Sequence, residues 1–193
     1  VHEPEGAPQS RIGFDTPIDA PLLLAMGRLH ENKAFDIAIR ALAELPDAWL
    51  WIAGEGPEGP ALTALAVQCG VADRVRFLGW RDDTGALLQA CDIFLCPSRH
   101  EPLGNVVIEA WAARKPVVAC EATGPATLMA DGASGVLVPI DDAPALAAAI
   151  AGLIAAPERA LAIAAAGRHR YEAEFTEAVV VRRYLDFFAR VAP

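Results

Sequence analysis

The chain has 193 residues, a length typical of one domain and sufficient to bury a hydrophobic core. Apolar residues make up 54% and charged residues 21%, proportions that exclude an intrinsically disordered chain. With 16 basic and 25 acidic residues the formal net charge is −9, whereas proteins that bind nucleic acid usually carry a basic surface. We therefore expect no nucleic-acid partner.

The chain divides by composition near residue 20. Residues 1–20 are polar and rich in proline, which predicts an N-terminal arm or linker, and residues 21–193 carry the periodic patterns of a folded domain. We expect no signal peptide and no membrane span, because the longest charge-free apolar run, 143–157, falls short of the about 20 residues that a bilayer requires. The four cysteines lack zinc-ligand spacing, which favours reduced thiols and a cytoplasmic location.

From residue 21 onward, short apolar runs alternate with segments of helical pattern. We predict strands at Leu22–Met26, Trp49–Ala53, Val75–Leu78, Ile93–Cys96, Val117–Cys120 and Val136–Val138. Helices are predicted at Lys33–Leu45, Pro60–Cys69, Thr84–Ala90, Asn105–Arg114, Ala126–Ala130, Ala145–Ala155, Glu158–Glu172 and Glu177–Arg190. Most of the strands lack strict alternation, which is typical of parallel strands buried on both faces. The pattern predicts an α/β fold: a doubly wound, parallel, six-stranded Rossmann-like sheet with extra C-terminal helices.

A glycine-rich segment follows the second predicted strand. Residues 54–59 read Gly-Glu-Gly-Pro-Glu-Gly, which matches the dinucleotide-binding pattern G-x-G-x-x-G. However, Pro57 lacks a backbone N–H, Glu55 and Glu58 are negatively charged, and in dinucleotide sites this pattern follows the first strand. We favour a glycine-rich turn, with an NAD-binding Rossmann domain as the alternative.

Ligands of doubly wound sheets bind where the strand order reverses, which places the loops after strands one and four at the candidate site. In the first loop, Gly27 permits a tight turn, and Arg28 and Lys33 are cations that could converge on one anion such as a diphosphate. Two solvated surface charges are the alternative interpretation of this loop.

The fourth loop leads into a predicted helix that starts at Gly104 and Asn105. The free N–H groups of a helix N-terminus attract anions. Glu109 lies one turn into this helix among apolar neighbours, where a carboxylate is costly unless it has a partner. It is either a ligand-binding group or a helix-face carboxylate that reaches solvent.

Four segments together resemble the retaining glycosyltransferases of family four, in their C-terminal, nucleotide-sugar-binding domain of the GT-B fold. These segments are Gly27 to Lys33, Gly54 to Pro57, Pro97 to Ala110 and Pro116 to Ala119. The resemblance extends over roughly residues 21–191. It implies a metal-independent transfer of a sugar from a nucleotide diphosphate sugar to an acceptor hydroxyl, with no cofactor.

The resemblance also implies a role for each matching residue. Arg28 and Lys33 would hold the donor diphosphate and stabilise the departing nucleotide, and Glu101 would contact the hydroxyls of the donor sugar. We assign Arg28, Lys33 and Glu101 to catalysis, and the remaining donor-binding residues are Gly27, Leu103, Gly104, Asn105, Glu109 and Arg81. Among these, Glu109 would bind the ribose, and Arg81 lies in the loop near which the base is expected.

Three departures from the family pattern stand out. Ala34 and Arg114 occupy positions where the family commonly has glycine. The chain is also only one half of the two-domain GT-B fold, so we expect the acceptor site, and any membrane association, in an N-terminal half that is absent here. The last helix normally crosses to that half, so apolar residues of Tyr184–Phe188 are expected to be uncovered and to promote self-association.

A nucleotide-sugar-binding module without catalysis is the alternative function from another class. It would keep the donor site and lack an acceptor-binding half.

Overall fold

The structure, a computed structural model, describes residues 7–130 and 132–191. Six parallel strands form one sheet in the order β3-β2-β1-β4-β5-β6. The strands are β1 Leu22–Met26, β2 Trp49–Ala53, β3 Val75–Gly79, β4 Ile93–Cys96, β5 Val117–Cys120 and β6 Val136–Val138. The helices are α1 Phe35–Leu42, α2 Gly59–Gln68, α3 Thr84–Ala90, α4 Asn105–Ala112, α5 Thr123–Leu128, α6 Ala143–Ile154, α7 Pro157–Glu174 and α8 Glu177–Val191. The predicted doubly wound sheet with additional C-terminal helices is confirmed.

The chain reverses direction across the sheet between β1 and β4. After β3 it returns to the middle of the sheet, where β4 pairs with β1 in the register Leu23 with Ile93 and Ala25 with Leu95. The carboxyl ends of these two strands therefore lie side by side, and the loops that follow them share one edge.

Alternate strand residues supply two hydrophobic cores, one on each face of the sheet. Leu23 and Leu50 pack with α1, α2 and α6, whereas Leu24 and Trp51 pack with α3 and α4. Both faces of the central strands are covered, which explains why the strands are apolar without alternation.

The first helix starts later than the sequence pattern predicts. Glu31–Lys33 form one turn of 3₁₀-helix, and Ala34 ends it with a left-handed backbone, φ 51°. The α-helical pattern of hydrogen bonds begins only after this reversal, at Phe35, so Lys33 lies in the 3₁₀ turn rather than in α1.

Part of the predicted N-terminal arm contacts the domain. The indole N–H of Trp51 donates to the buried Thr16 hydroxyl at 2.9 Å, and the Phe14 ring packs edge-on against Trp51. The Arg11 guanidinium donates to the Ala90 carbonyl and to Asp92. The boundary at residue 20 stays a prediction, and residues 1–6 of the arm lie outside the described residues.

No single helix of the described segments has the length and apolarity needed to cross a membrane. One consecutive pair, Ala143–Ile154 and Pro157–Val191, reaches the criterion jointly by length and composition, with a bend of 102° between its members.

Candidate functional site

The loop after β1 and the turn after β2 are in backbone contact. The Leu29 N–H donates to the Glu55 carbonyl at 2.9 Å, and the Gly27 N–H donates to the Ala53 carbonyl. A Cβ at Gly54 would lie 1.9 Å from the Gly27 oxygen, and a Cβ at Gly56 would lie 2.3 Å from the Leu29 oxygen. Gly54 and Gly56 are therefore explained by packing against the first loop, in agreement with the turn interpretation.

The side chain of Lys33 crosses the carboxyl end of β1. Gly27 has a φ of 146°, which side chains rarely adopt, and a Cβ there would be in ordinary contact with the lysine stem, 3.4 Å from Lys33 Cε. The 3₁₀ turn is closed by His30, whose Nδ1 accepts from the Asn32 N–H at 3.3 Å. Lys33 Nζ then reaches Glu101 Oε2, in the loop after β4, at 2.5 Å.

Glu101 is almost fully buried, at 8% exposure, and both its carboxylate oxygens have donors. Oε2 accepts from Lys33, and Oε1 accepts from the Gly104 N–H at 3.2 Å. Its backbone carbonyl accepts from the Gly124 N–H at 2.7 Å. A Cβ at Gly124 would lie 2.6 Å from the Leu103 carbonyl carbon, so α5 approaches this loop closely.

The N-terminus of α4 faces the same edge of the sheet. Gly104 precedes the helix in a left-handed conformation, φ 78°, and Asn105 and Leu103 beside it are exposed. Glu109 is half-buried further along α4, and burial raises the pKa of its carboxyl. Within residues 7–130 and 132–191 the Glu109 carboxylate has no hydrogen-bond or ion-pair partner.

The predicted cations differ in their surroundings. Arg28 is exposed and has no ion pair within the described part of the chain. Arg81 is bound by Asp83, with hydrogen bonds of 2.7 and 2.6 Å, and its guanidinium lies 5.5 Å from the centre of the Phe14 ring. The hydrogen bond from Arg81 lowers the pKa of Asp83. A donor-binding role for Arg81 would require it to share or leave this carboxylate.

Arg99 is a residue that the sequence analysis missed. Its guanidinium donates to both carboxylate oxygens of Asp36 at 2.9 and 2.7 Å, to Asp141 at 2.6 Å and to the Glu31 carbonyl at 2.8 Å. The Asp36 hydrogen bond raises the pKa of Arg99 further above its usual range. Arg99 thus joins the start of α1, the 3₁₀ turn that carries Lys33 and the loop after β6 to the loop that carries Glu101. The only sequence signal was an arginine inside the fourth loop.

The assembled site combines the Lys33 ammonium, a helix N-terminus and two carboxylates at one sheet edge, with Arg28 exposed in the first loop. Lys33 and the α4 N–H groups suit an anion, and Glu101 and Glu109 suit hydroxyl donors. No group of three His, Cys, Asp or Glu side chains placed to hold a metal occurs among the residues described. A ligand with both phosphate and hydroxyl groups fits this combination.

Comparisons with known proteins agree with this fold. The family model described as "Glycosyl transferases group 1" matches residues 20–156. The chain is 42% identical over 179 residues to the lipopolysaccharide core biosynthesis glycosyltransferase LpsE of Rhizobium meliloti (strain 1021). The aligned residues make up 93% of this chain and 53% of LpsE.

Solved structures share the architecture. Sucrose-phosphate synthase from Thermosynechococcus elongatus superposes with a TM-score of 0.84 and 31% identity, over 95% of this chain and 50% of that one. HepE from Anabaena in complex with UDP superposes with a TM-score of 0.87 and 26% identity, over 94% of this chain and 51% of HepE. The chain spans about half the length of the curated relatives LpsE and LpsD. It belongs to the glycosyl transferases group 1 family and has the fold of the C-terminal domain of a GT-B glycosyltransferase.

Proposed function

We propose that this chain is the donor-binding domain of a retaining, metal-independent glycosyltransferase. The observation that carries the proposal is the Lys33–Glu101 pair, which lies beside the N-terminus of α4 where β1 and β4 end. The structures of HepE with UDP and with UDP-glucose support a nucleotide sugar as the ligand.

In the proposed complex, the diphosphate lies between the first loop and the N-terminus of α4. Lys33 and Arg28 offset the negative charge that builds on the diphosphate as the bond to the sugar breaks, a task that a metal ion performs in other enzymes. The N–H group of Asn105 adds the positive end of the helix dipole, while Gly104 forms the turn before α4 and its N–H stays with Glu101.

Two carboxylates orient the rest of the donor. Glu101 accepts hydrogen bonds from hydroxyls of the sugar, and Glu109 accepts them from the ribose. The ribose would give the half-buried Glu109 carboxylate the partners that it lacks among residues 7–130 and 132–191. Leu103 lies beside Glu101 in the loop after β4, and Arg81 lies in the loop after β3, near which we expect the nucleotide base to bind. Retention by attack from the same face of the sugar needs no protein nucleophile.

The acceptor site is proposed to lie in another half of the protein, since relatives of known length are about twice as long as this chain. A cytoplasmic location, and any membrane contact through that other half, belong to the same proposal. Sugar transfer by this chain alone, with no partner chain added, would contradict it.

Calorimetric titration with UDP, GDP, ADP and NAD tests the donor site. We expect one nucleoside diphosphate to bind and NAD to be silent. Arg28→Ala and Lys33→Ala should weaken the diphosphate by about tenfold or more, the loss typical of a hydrogen bond to a charged group, and weaken the bare nucleoside less.

Arg40→Ala is the matched control for the loss of one cation, because Arg40 is exposed on α1. Equal losses for diphosphate and nucleoside would place Arg28 and Lys33 away from the diphosphate. Binding of NAD alone, or of no diphosphate, would contradict the donor-binding proposal.

A further inference from the structure

The pair between Lys33 and Glu101 joins groups that the proposed function assigns to different parts of the ligand. Lys33 is assigned to the diphosphate and Glu101 to the sugar. In the ligand-free chain they satisfy each other at 2.5 Å, with side chains that are 26% and 10% exposed.

Arrival of a diphosphate places a second anion beside the same ammonium. Nζ has three N–H donors, so a phosphate oxygen can bind without complete loss of Glu101. The phosphate and the carboxylate then face each other across one cation in a nearly buried site, where like charges repel more strongly than in water.

A sugar on the diphosphate changes this balance. Its hydroxyls donate hydrogen bonds to Glu101 Oε2, the oxygen that Lys33 otherwise satisfies, while Oε1 keeps the Gly104 N–H. A bare nucleoside diphosphate has no such donors at that position. Its terminal phosphate also carries more negative charge than the same phosphate esterified to a sugar.

We propose that Glu101 makes the site select the intact sugar nucleotide over the nucleoside diphosphate, through its competition with the ligand for Lys33. The carboxylate disfavours the diphosphate alone, and the sugar hydroxyls offset that cost. Glu101 is therefore a specificity-determining residue that also favours departure of the product after transfer. This inference rests on the proposed function.

A purely structural role for Glu101 makes a different prediction. Glu101 also accepts the N–H of Gly104, the residue that precedes α4, and it holds the Lys33 ammonium in place. Loss of those contacts alone would weaken the sugar nucleotide and the nucleoside diphosphate by the same factor.

The test is calorimetric titration of the wild-type chain and Glu101→Gln with the diphosphate that binds best among UDP, GDP and ADP, and with its glucose conjugate. Glutamine keeps an oxygen for the Gly104 N–H and removes the charge. We expect Glu101→Gln to bind the diphosphate more tightly than the wild-type chain does. The ratio of the affinity for the glucose conjugate to that for the diphosphate should fall by about tenfold, the scale of one hydrogen bond to a charged group.

Two further variants keep the interpretation specific. Glu121→Gln removes the same charge from an exposed residue that directly follows β5 at the same sheet edge, and it should leave the ratio unchanged. Glu101→Asp keeps the charge and withdraws it by one methylene, so it should weaken the glucose conjugate alone. If Glu101→Gln does not fold, Glu101→Asp serves as the test in its place.

The outcomes separate the two proposals. A fall in the ratio for Glu101→Gln with no change for Glu121→Gln supports the inference. An unchanged ratio, or equal weakening of both ligands in Glu101→Gln and Glu101→Asp, overturns it and leaves donor binding standing. If the wild-type chain binds neither ligand, the proposed function fails and the inference fails with it.

Discussion

Glu109 combines an unfavourable position in the ligand-free chain with a proposed role in binding. Its carboxylate is half-buried in α4 without a partner among the described residues, and burial raises its pKa above the ordinary value of 4.5. A group of this kind lowers the stability of the folded chain and is retained where a ligand supplies its hydrogen bonds.

Glu109→Gln should therefore stabilise the ligand-free chain at neutral pH. Because the raised pKa lets the folded chain bind the proton more tightly, the free energy of unfolding falls as pH rises from the ordinary carboxyl pKa to the raised one. The gain from the glutamine should be complete at pH 7 and vanish below about pH 4. Urea unfolding at several pH values measures it, with the exposed Glu121→Gln as the control.

The same variant should lose donor affinity. We expect Glu109→Gln to weaken nucleoside diphosphate binding by about 1–3 kcal/mol, because the ribose hydroxyls lose a charged acceptor. Unchanged affinity would remove Glu109 from the ribose site, and a stability gain that does not depend on pH would contradict the burial argument.

The backbone at Ala34 and Arg114, where the family resemblance leads us to expect glycine, has the conformation that glycine adopts most readily. Both residues have left-handed backbones, with φ of 51° and 58°. Residues other than glycine pay about 1–2 kcal/mol for this conformation. We therefore interpret these two departures from the expected pattern as sources of backbone strain and not as changes in the chemistry of the site.

Arg114→Gly should raise the free energy of unfolding by up to about 1 kcal/mol, since the relief of strain exceeds the entropy cost of glycine. Arg114 is largely exposed, and its ion pair with Glu172 at 3.9 Å contributes little. The matched control is Arg40→Gly, which introduces glycine inside α1 and should destabilise by about 1 kcal/mol. If urea unfolding showed the same change in the free energy of unfolding for Arg114→Gly and Arg40→Gly, the strain interpretation would be contradicted.

Between elements, the decisive contact of the glycine-rich turn is with the loop that follows β1. Gly54 meets the Gly27 carbonyl, and Gly56 meets the Leu29 carbonyl, so side chains there would separate β2's turn from the candidate site. The first two glycines of the dinucleotide-like pattern are required by this packing.

Gly54→Ala should destabilise the chain by more than about 3 kcal/mol, because its Cβ would lie 1.9 Å from a backbone oxygen that cannot move without the first loop. Gly70→Ala is the control: its φ of 68° is also positive, but nothing lies within 4 Å of the added Cβ. It should cost about 1 kcal/mol. Similar losses in thermal unfolding would show that backbone conformation, and not the contact, sets the need for glycine.

Element positions were largely predictable from the sequence, and their junctions were not. Five of the six strands have the predicted bounds, and the other, β3, extends one residue further, to Gly79. These runs are local patterns of buried residues. The start of α1 was wrong by two residues because the left-handed turn at Ala34 leaves no periodic signal.

At the scale of the whole molecule, α8 is the element that the domain does not cover. No residue of Glu177–Val191 is buried, and the ring side chains of Tyr184, Phe187 and Phe188 are each more than half exposed. Apolar surface of this kind favours association.

We expect the chain to self-associate with rising concentration, and the double variant Leu185→Glu, Phe188→Glu to weaken this association by about tenfold or more, because it places charge on the apolar face. Sedimentation velocity over a concentration series measures the effect. Val67→Glu is the control, since Val67 is an equally exposed apolar residue on α2. A wild-type chain that stays monomeric throughout would contradict the prediction.

The sequence by itself determined the strands and the fold class, because buried strands and helices leave a local periodic pattern. A general rule of parallel sheets predicted the edge at which we expect the ligand, with Lys33 and Glu109 beside it, and the family resemblance added Glu101. Only the tertiary structure decided how those residues meet. The Lys33–Glu101 pair joins positions 68 residues apart, and Arg99 binds Asp36 and Asp141 across three loops. Such contacts depend on how loops dock after the sheet has formed, and a side chain's partner across that distance leaves no mark on the sequence around it.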